Sequence, residues 1–316
     1  MDKKKVRRLS LLGMILCVVL WGLTPLVSKH LMNKGYDSPA LLIAVRCLIS
    51  IVVLGLVLLF TGKFKKITKG YWVCLPAGLI MGGAYLFQFI GLGDTTLSKS
   101  TFLESFSVIT VPIAMFAFTF KRPSLLSVVA SIGCLAGAFV LCGNGLDFSA
   151  MFLSPSRGDI FSAIGGALFG VNIAFTKVFA KDKDPYVYVF FQLLITTILC
   201  FAYALPFEPN LTFSWELENV LLTLFLALFC TVACWLLRTV SIKNVSAVTC
   251  AVLNPMSAVI ATSLSMSLLM EPFSWNVVVG GLIIVASIVL SGVVDAKKEA
   301  KEEAKAIASS ERDPLS

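Results

Sequence analysis

Charged residues are scarce in this 316-residue sequence. Only 14% of the residues are Asp, Glu, Lys or Arg, whereas 58% are hydrophobic and the mean hydropathy is +0.91. Ordinary soluble domains carry about a quarter charged residues, because polar groups must cover their surface. The shortage excludes a cytosolic enzyme, a nucleic-acid-binding domain and a disordered chain. A polytopic membrane protein remains, with about ten spans at most, since each spanning helix needs ~20 residues.

Residues that usually carry reaction chemistry are also few. The single histidine, His30, gives no basis for a histidine proton relay or a histidine-rich metal site, and there is no GxxxxGK[ST] run to bind a nucleotide. The nine cysteines lie in or beside apolar runs, in no metal or disulfide spacing, which favours a packing role. We therefore expect no enzymatic activity, no cofactor and no metal site.

Ten apolar stretches are long enough to span a bilayer. The basic start of the chain imitates a signal peptide, but no small-residue cleavage site follows it, and we interpret it as leading into the first span. The stretches lie at about 9–31, 40–60, 71–92, 98–120, 125–143, 158–179, 186–205, 218–240, 246–269 and 276–294. They predict an all-α membrane protein with an N-tail at 1–8, one repeat at 9–143, a second at 158–294, and a charged C-tail at 295–316. The C-tail is either a helical extension of the last span or disordered.

The basic residues predict the orientation. If both termini are cytoplasmic, 21 of the 26 Lys and Arg residues fall in cytoplasmic segments and four in external ones, while Arg46 lies within a span. This distribution follows the positive-inside rule. The net charge of +8 is therefore explained by topology, and no nucleic-acid partner is needed.

The two halves of the chain repeat a pattern. The fourth and ninth spans each contain a mid-span proline, Pro112 and Pro255, and each half closes with a helix rich in small residues. Because five spans per half is an odd number, the second half must enter the membrane from the opposite side. Inverted repeats of this kind are typical of transporters that work by alternating access. We predict hinges at Pro25, Pro112 and Pro255.

At this point the sequence resembles a known family, the ten-span EamA-type carriers of the drug/metabolite transporter superfamily. The resemblance covers residues 9–294 and both repeats. It rests on an ordered set of positions: Trp21-Gly22 with Pro25, Arg46, the run Thr95-Thr96-Leu97-Ser98-Lys99-Ser100-Thr101-Phe102-Leu103, Gln192 and Glu271. Two positions depart from the family pattern, namely Lys121, where an acid matching Glu271 is common, and Glu104, where a small or hydroxyl residue is common.

Glu104 is the deepest acid in the sequence and the strongest functional candidate. A charge inside a bilayer costs about 2.5–3.5 kcal/mol on insertion scales and is a functional suspect by default. In one interpretation Glu104 binds a substrate amine or carries a coupling proton; in the other it is a structural acid paired with Lys99, Arg46 or Arg238. Lys99 itself is either a cavity residue or a lysine that reaches the outer interface. Arg46 is predicted to be structural, tying the second span to a helix end.

Uncharged polar residues recur on the spans that, by the resemblance, surround a central cavity. These are spans one, three, four, six, eight and nine. Ordinary interhelical packing is the alternative explanation for any single one of these residues. With the charged candidates they form the predicted substrate cavity: Trp21, Thr24, Tyr85, Gln88, Lys99, Glu104, Asn172, Thr176, Trp235, Arg238 and Asn254.

We therefore predict a secondary transporter in a bacterial inner membrane that exports small metabolites, such as amino acids or related polar or amphipathic compounds. Its partners would be its substrate and the membrane lipid, with Glu104 as the candidate for proton coupling. A passive channel or facilitator of the same fold is the alternative. An intramembrane enzyme is disfavoured, since one interfacial histidine and one deep carboxylate do not make a catalytic set.

Overall fold

The fold is described from a computed structural model, which describes residues 3–34, 38–67, 69–95, 97–142, 155–208, 211, 215–267 and 274–312. Throughout these ranges the regular secondary structure is helical. The predicted Glu271, and Thr96 of the family-like run, lie outside the described residues.

Ten helices are long and apolar enough to cross a membrane, which confirms the predicted spans. We number them α1 to α10 in chain order. Short 3₁₀ turns at Lys63–Lys66 and Lys69–Val73 join α2 to α3. The helices are α1 Lys3–Asn33, α2 Pro39–Phe60, α3 Cys74–Asp94, α4a Leu97–Glu104, α4b Ser107–Thr119, α5 Leu125–Cys142, α6 Arg157–Phe179, α7 Pro185–Phe207, α8 Leu217–Asn244, α9a Ala247–Leu253, α9b Met256–Ser267 and α10 Trp275–Arg312. Because α10 continues to Arg312, the C-tail is helical as far as that residue.

Local sequence explains where several spans begin. In α2 the Ser38 side chain accepts from the Leu41 N–H and Pro39 follows at the first helical position. In α7 Asp184 and Pro185 do the same. Such residues satisfy amide groups that the first turn of a helix leaves unpaired, and proline there has no amide hydrogen to lose.

Two spans are interrupted at matching places, and only one of the two breaks lies at a proline predicted as a hinge. The break in α9 lies at Asn254–Pro255, as expected for a mid-span proline, but the break in α4 lies at Ser105–Phe106. Pro112 instead sits inside the continuous helix α4b, and Pro25 inside the continuous helix α1. Neighbouring helices and side chains re-satisfy the backbone groups that a membrane proline frees, so a proline need not break its helix.

The helices pack in pairs related by the repeat. Helix α3 packs on α6 as α8 packs on α1, and α4 packs on α6 as α9 packs on α1. Helices α2 and α7 pack on each other, and so do α5 and α10. Gly137 and Gly280 let the last pair approach closely, since a Cβ on Gly137 would lie 2.9 Å from the Gly280 carbonyl oxygen. Exchanging the two repeats thus preserves the packing pattern.

Contacts between helix ends define two faces of the bundle. At the face where α1 begins, which we name the amino-terminal face, the Ser241 hydroxyl donates to the Ser10 carbonyl over 2.6 Å. At the opposite face, named the distal face, His30 Nε2 lies 2.9 Å from Glu218 Oε1, joining the end of α1 to the start of α8. Large apolar side chains are exposed along the outside of the bundle, among them Leu59, Phe60 and Leu125, which is the surface that lipid would cover.

Candidate substrate cavity

A cavity lies between the two repeats. Its empty volume is about 810 Å³ including its mouth, and its walls come from α1, α2, α3, α4a, α6, α8 and α9. The lining reaches Leu92 and Ser100, within one turn of the distal ends of α3 and α4a. At the other end it stops at Arg238, six residues before the end of α8, or about 9 Å at 1.5 Å per residue. The cavity is therefore displaced towards the distal face.

Four aromatic rings, one each from α1, α3, α6 and α8, meet beside the cavity. We name Trp21, Tyr85, Phe169 and Trp235 the aromatic cluster. Tyr85 is central, with ring centroids 5.3 Å from Phe169 and 5.9 Å from Trp235, both edge to face. Trp21 lies 5.8 Å from Trp235, and Trp235 Nε1 donates to Tyr85 Oη over 2.7 Å. The cluster gives the cavity a rigid, largely apolar wall with few rotatable bonds.

Arg46 lies against one side of this cluster. Its side chain is 1% exposed, and its Cζ atom lies 4.8 Å from the centroid of the Tyr85 ring and 5.2 Å from that of Phe89. Arg46 Nε and Nη1 have no hydrogen-bond partner within the part of the chain that the structure describes. The predicted tie to a helix end is absent for these two atoms, and Arg46 lines the cavity instead.

Arg238 also lies against this cluster, at the Trp235 ring. It is 2% exposed, and its Cζ atom lies 4.4 Å from the centroid of the Trp235 ring. Its Nη1 donates to Asn172 Oδ1 over 2.9 Å, and the Asn172 amide donates to the Ala77 carbonyl over 3.2 Å. Asn172 thus orients Arg238 from behind, while Arg238 Nε finds no partner among the described residues.

Glu104 ends helix α4a at the wall of the cavity, which Gln88 also lines. It also lines a second, smaller cavity with Ser105, Asn254 and Pro255, so the breaks of α4 and α9 meet beside it. No ion pair within 4.0 Å joins Glu104 to a base of the described chain, and the Lys99 ammonium pairs with Asp159 at 3.8 Å instead. The structure therefore does not pair Glu104 with Lys99, Arg46 or Arg238.

Hydrogen bonds between α6 and α8 close the amino-terminal face. The Lys177 ammonium donates to the carbonyls of Val245 at 2.7 Å and Lys243 at 3.2 Å, where α8 ends. The Lys243 ammonium in turn donates to the Lys183 carbonyl. We name these contacts the lysine latch. A cation there also complements the negative end of the helix dipole.

At the distal face the carboxylates of Asp159 and Glu208 join neighbouring helices by hydrogen bonds. The Thr95 hydroxyl donates to Asp159 over 2.6 Å, which joins α3 to α6. Glu208, just beyond α7, accepts from the Ser38 hydroxyl and from the Ala40 N–H at 3.2 Å, joining α7 to α2. Partial burial raises the pKa of the Glu208 carboxyl.

Most of the residues predicted for the site line the cavity. Those that do so are Trp21, Thr24, Tyr85, Gln88, Glu104, Trp235, Arg238 and Asn254. Lys99 lies beyond its lining, paired with Asp159, and Asn172 supports Arg238 from the second layer. Thr176 shares a hydrogen bond with the Tyr188 hydroxyl over 3.1 Å, near the amino-terminal face.

Several lining residues were missed by the sequence analysis. Arg46 carried a clear signal, because a base within a span is as suspect as an acid. Phe169 is signalled by the repeat, since it occupies the place in α6 that Trp21 occupies in α1. The remainder carry no signal of their own: Phe89, Leu92, Ser100, Thr101 and Ser257. In the described chain, no group of three His, Cys, Asp or Glu side chains could hold a metal ion.

Comparisons with known proteins agree with this architecture. The model of the EamA-like transporter family matches residues 8–143 and 156–293, one match to each repeat. Twenty-nine chains of solved structures match; one, described only as the crystal structure of a protein, is 19% identical with a TM-score of 0.75. That alignment covers 92% of this chain and 98% of the other and shows the fold alone. No curated protein matches this chain.

Proposed function

We propose that this chain, which belongs to the EamA-like transporter family and is thus a membrane transporter of the drug/metabolite type, exports small polar or amphipathic metabolites such as amino acids. Transport would proceed by alternating access across a bacterial inner membrane. The observation that carries the proposal is the cavity itself, which lies between two symmetric repeats and is displaced towards one face. A site at a repeat interface can be exposed to each side in turn when one repeat rocks against the other.

The lysine latch supports the identification of the conformation. The predicted orientation places the amino-terminal face, with most of the basic residues, in the cytoplasm. The latch would then close the cytoplasmic side while the cavity reaches towards the outside. In an exporter this is the state from which substrate is released.

The lining suits an amphipathic compound. The aromatic cluster offers an apolar wall, while Glu104, Gln88 and the two arginines are polar groups converging on the same space. A mostly apolar pocket with a few placed polar groups is the usual composition of a small-molecule site. A substrate would therefore carry an apolar part and at least one charged or hydrogen-bonding part.

A thermal-shift screen of the purified protein against a metabolite panel selects the substrate. A ligand at 100 times its Kd stabilises the folded protein by about 2.7 kcal/mol. Saturable counterflow of the selected compound in proteoliposomes supports a carrier. Flux that rises linearly with concentration, without counterflow, would identify a passive channel instead.

We also propose that Glu104 carries the coupling proton. In the Glu104→Gln variant, accumulation driven by a pH gradient should be lost while counterflow of the same compound persists, because the amide binds substrate without exchanging a proton. Glu218→Gln is the matched control, since Glu218 is an exposed acid paired with His30 and Lys34 at the distal face. Unchanged gradient-driven accumulation by Glu104→Gln would overturn this role.

A further inference from the structure

Two arginines in the cavity lack a negative partner. Arg46 and Arg238 are 1% and 2% exposed, and both line the cavity at the depth of the aromatic cluster. No carboxylate of the described chain lies within 4.0 Å of either guanidinium. Arg46 Nε and Nη1 and Arg238 Nε also have no hydrogen-bond partner there.

Such an arrangement is costly unless something supplies the missing charge. Desolvating an ion costs several kcal/mol even after relaxation, and buried charges are ordinarily paired and hydrogen-bonded. Contacts with ring faces recover part of this cost, up to about 2 kcal/mol for a desolvated cation. They do not occupy the unpaired N–H groups.

Each of the two guanidiniums contacts one ring of a hydrogen-bonded pair. Arg46 contacts Tyr85 from the α2 side, and Arg238 contacts Trp235 from the α8 side. Those rings are 5.9 Å apart and joined by the Trp235–Tyr85 hydrogen bond. Asn172 holds Arg238 in place through its Nη1 atom and leaves Nε unused. Both bases are thus positioned by the protein with donors to spare.

We propose that Arg46 and Arg238 form the subsite for a carboxylate of the transported compound. This rests on the proposed function and narrows its substrate class to compounds that carry a carboxylate. Arginine suits the task because its charge is permanent and its planar head combines ring stacking with several donors. Glu104, on the same cavity, would face the cationic or hydrogen-bonding part of a zwitterionic substrate.

The test compares acids with their neutral or cationic analogues in one vesicle. Proteoliposomes are loaded with equal concentrations of phenylalanine, leucine, threonine and glutamine, together with the amide and the decarboxylated amine of each. Mass spectrometry then follows their release. We expect release of one or more of the acids at least tenfold faster than its amide and amine. Release from protein-free vesicles is subtracted. Release of amides or amines as fast as the acids would then overturn the subsite and leave the transport proposal standing. Counterflow of no compound, the one selected by the thermal-shift screen included, would overturn both.

Variants assign the selectivity to the two bases. Arg46→Gln and Arg238→Gln should each reduce the acid-to-amide release ratio at least tenfold, whereas Arg46→Lys should keep part of it. Arg157→Gln is the control, because Arg157 is an exposed arginine stacked on Phe161 outside the cavity. An unchanged ratio in both cavity variants would contradict the assignment.

A second measurement covers the case in which a variant does not fold. The thermal stability of the wild-type protein is measured with each acid and each amide at equal concentration. Stabilisation by an acid and not by its amide supports the subsite, and equal stabilisation by both overturns it.

Discussion

Helices α1 and α6 carry nearly the same sequence pattern but make different contacts. An aromatic residue, a glycine, a polar residue, a hydroxyl residue and a lysine recur at identical spacing, 148 positions apart. The pairs are Trp21 and Phe169, Gly22 and Gly170, Thr24 and Asn172, Ser28 and Thr176, and Lys29 and Lys177. The two helices are thus equivalent elements of the two repeats.

The last turns of α1 and α6 make different contacts with the rest of the protein. Lys177 donates to the end of α8 in the lysine latch, and Thr176 shares a hydrogen bond with Tyr188. Ser28, although buried, has no hydrogen-bond partner for its hydroxyl among the described residues, and no hydrogen bond or ion pair of Lys29 is observed there. A symmetric sequence with asymmetric contacts is what the proposed alternating access would produce, with one face closed and its counterpart open.

The largest difference in stability is expected when the polar residue of each helix, Asn172 or Thr24, is replaced by an apolar one. Asn172→Leu removes the partner of Arg238, and hydrogen bonds to charged groups are worth about 1.5–3 kcal/mol. Thr24→Val keeps the shape of its side chain and should cost less than about 1 kcal/mol. Denaturant titration of the protein in detergent measures the loss of unfolding free energy in both variants. Equal losses would show that the two positions are not used differently.

The glycines should differ by a smaller amount. A Cβ on Gly170 would lie 2.7 Å from the Ser107 carbonyl oxygen, so Gly170→Ala must displace backbone and should cost about 2 kcal/mol. On Gly22 the nearest atom is Ile260 Cγ2 at 2.8 Å, and the nearest backbone atom, the Ser257 carbonyl oxygen, is farther away at 3.1 Å. A smaller loss, about 1 kcal/mol, is therefore expected. The same unfolding assay applies, and a larger loss for Gly22→Ala would contradict this description of the two contacts.

The two lysines should differ least in their contribution to stability, and both should matter for transport. Lys177→Met removes a cation from the end of α8, a contribution of about 0.3–1 kcal/mol, whereas Lys29→Met should leave unfolding unchanged. Both should alter the rate of transport, because each would be required in one half of the cycle. Counterflow in proteoliposomes measures the transport rate. A wild-type rate in both variants would show that the lysine latch takes no part in transport.

Much of this architecture follows from the sequence, and the exceptions have physical causes. Apolar length and the distribution of bases predict ten spans, and intramembrane charge points to Glu104. The break at Ser105–Phe106 has no proline to mark it, because it depends on the packing of α4 against α6 and α9. The position of Arg46 likewise depends on which face α2 turns inwards. Lys99 faces Asp159 only because α4a and α6 pack closely.

Cross-linking of the two helix ends tests alternation directly. The double variant Lys177→Cys/Lys243→Cys places a disulfide across the lysine latch. Lys29→Cys/Asp94→Cys places one at the equivalent position of the distal face. Asp94 is the equivalent of Lys243 because each lies 11 residues before the helix break that follows. All nine native cysteines are buried, so the wild-type protein reports the background. Ser10→Cys with Asn244→Cys is the control within one helix pair, where the native side chains are hydrogen-bonded at 3.1 Å.

Transport of the selected substrate is then measured before and after oxidation and again after reduction. The account predicts that the latch pair and its counterpart both cross-link during turnover, that each cross-link stops transport, and that reduction restores it. The control pair should cross-link without stopping transport. Failure of the Lys29→Cys/Asp94→Cys pair to cross-link, or transport that continues through either cross-link, would contradict alternating access.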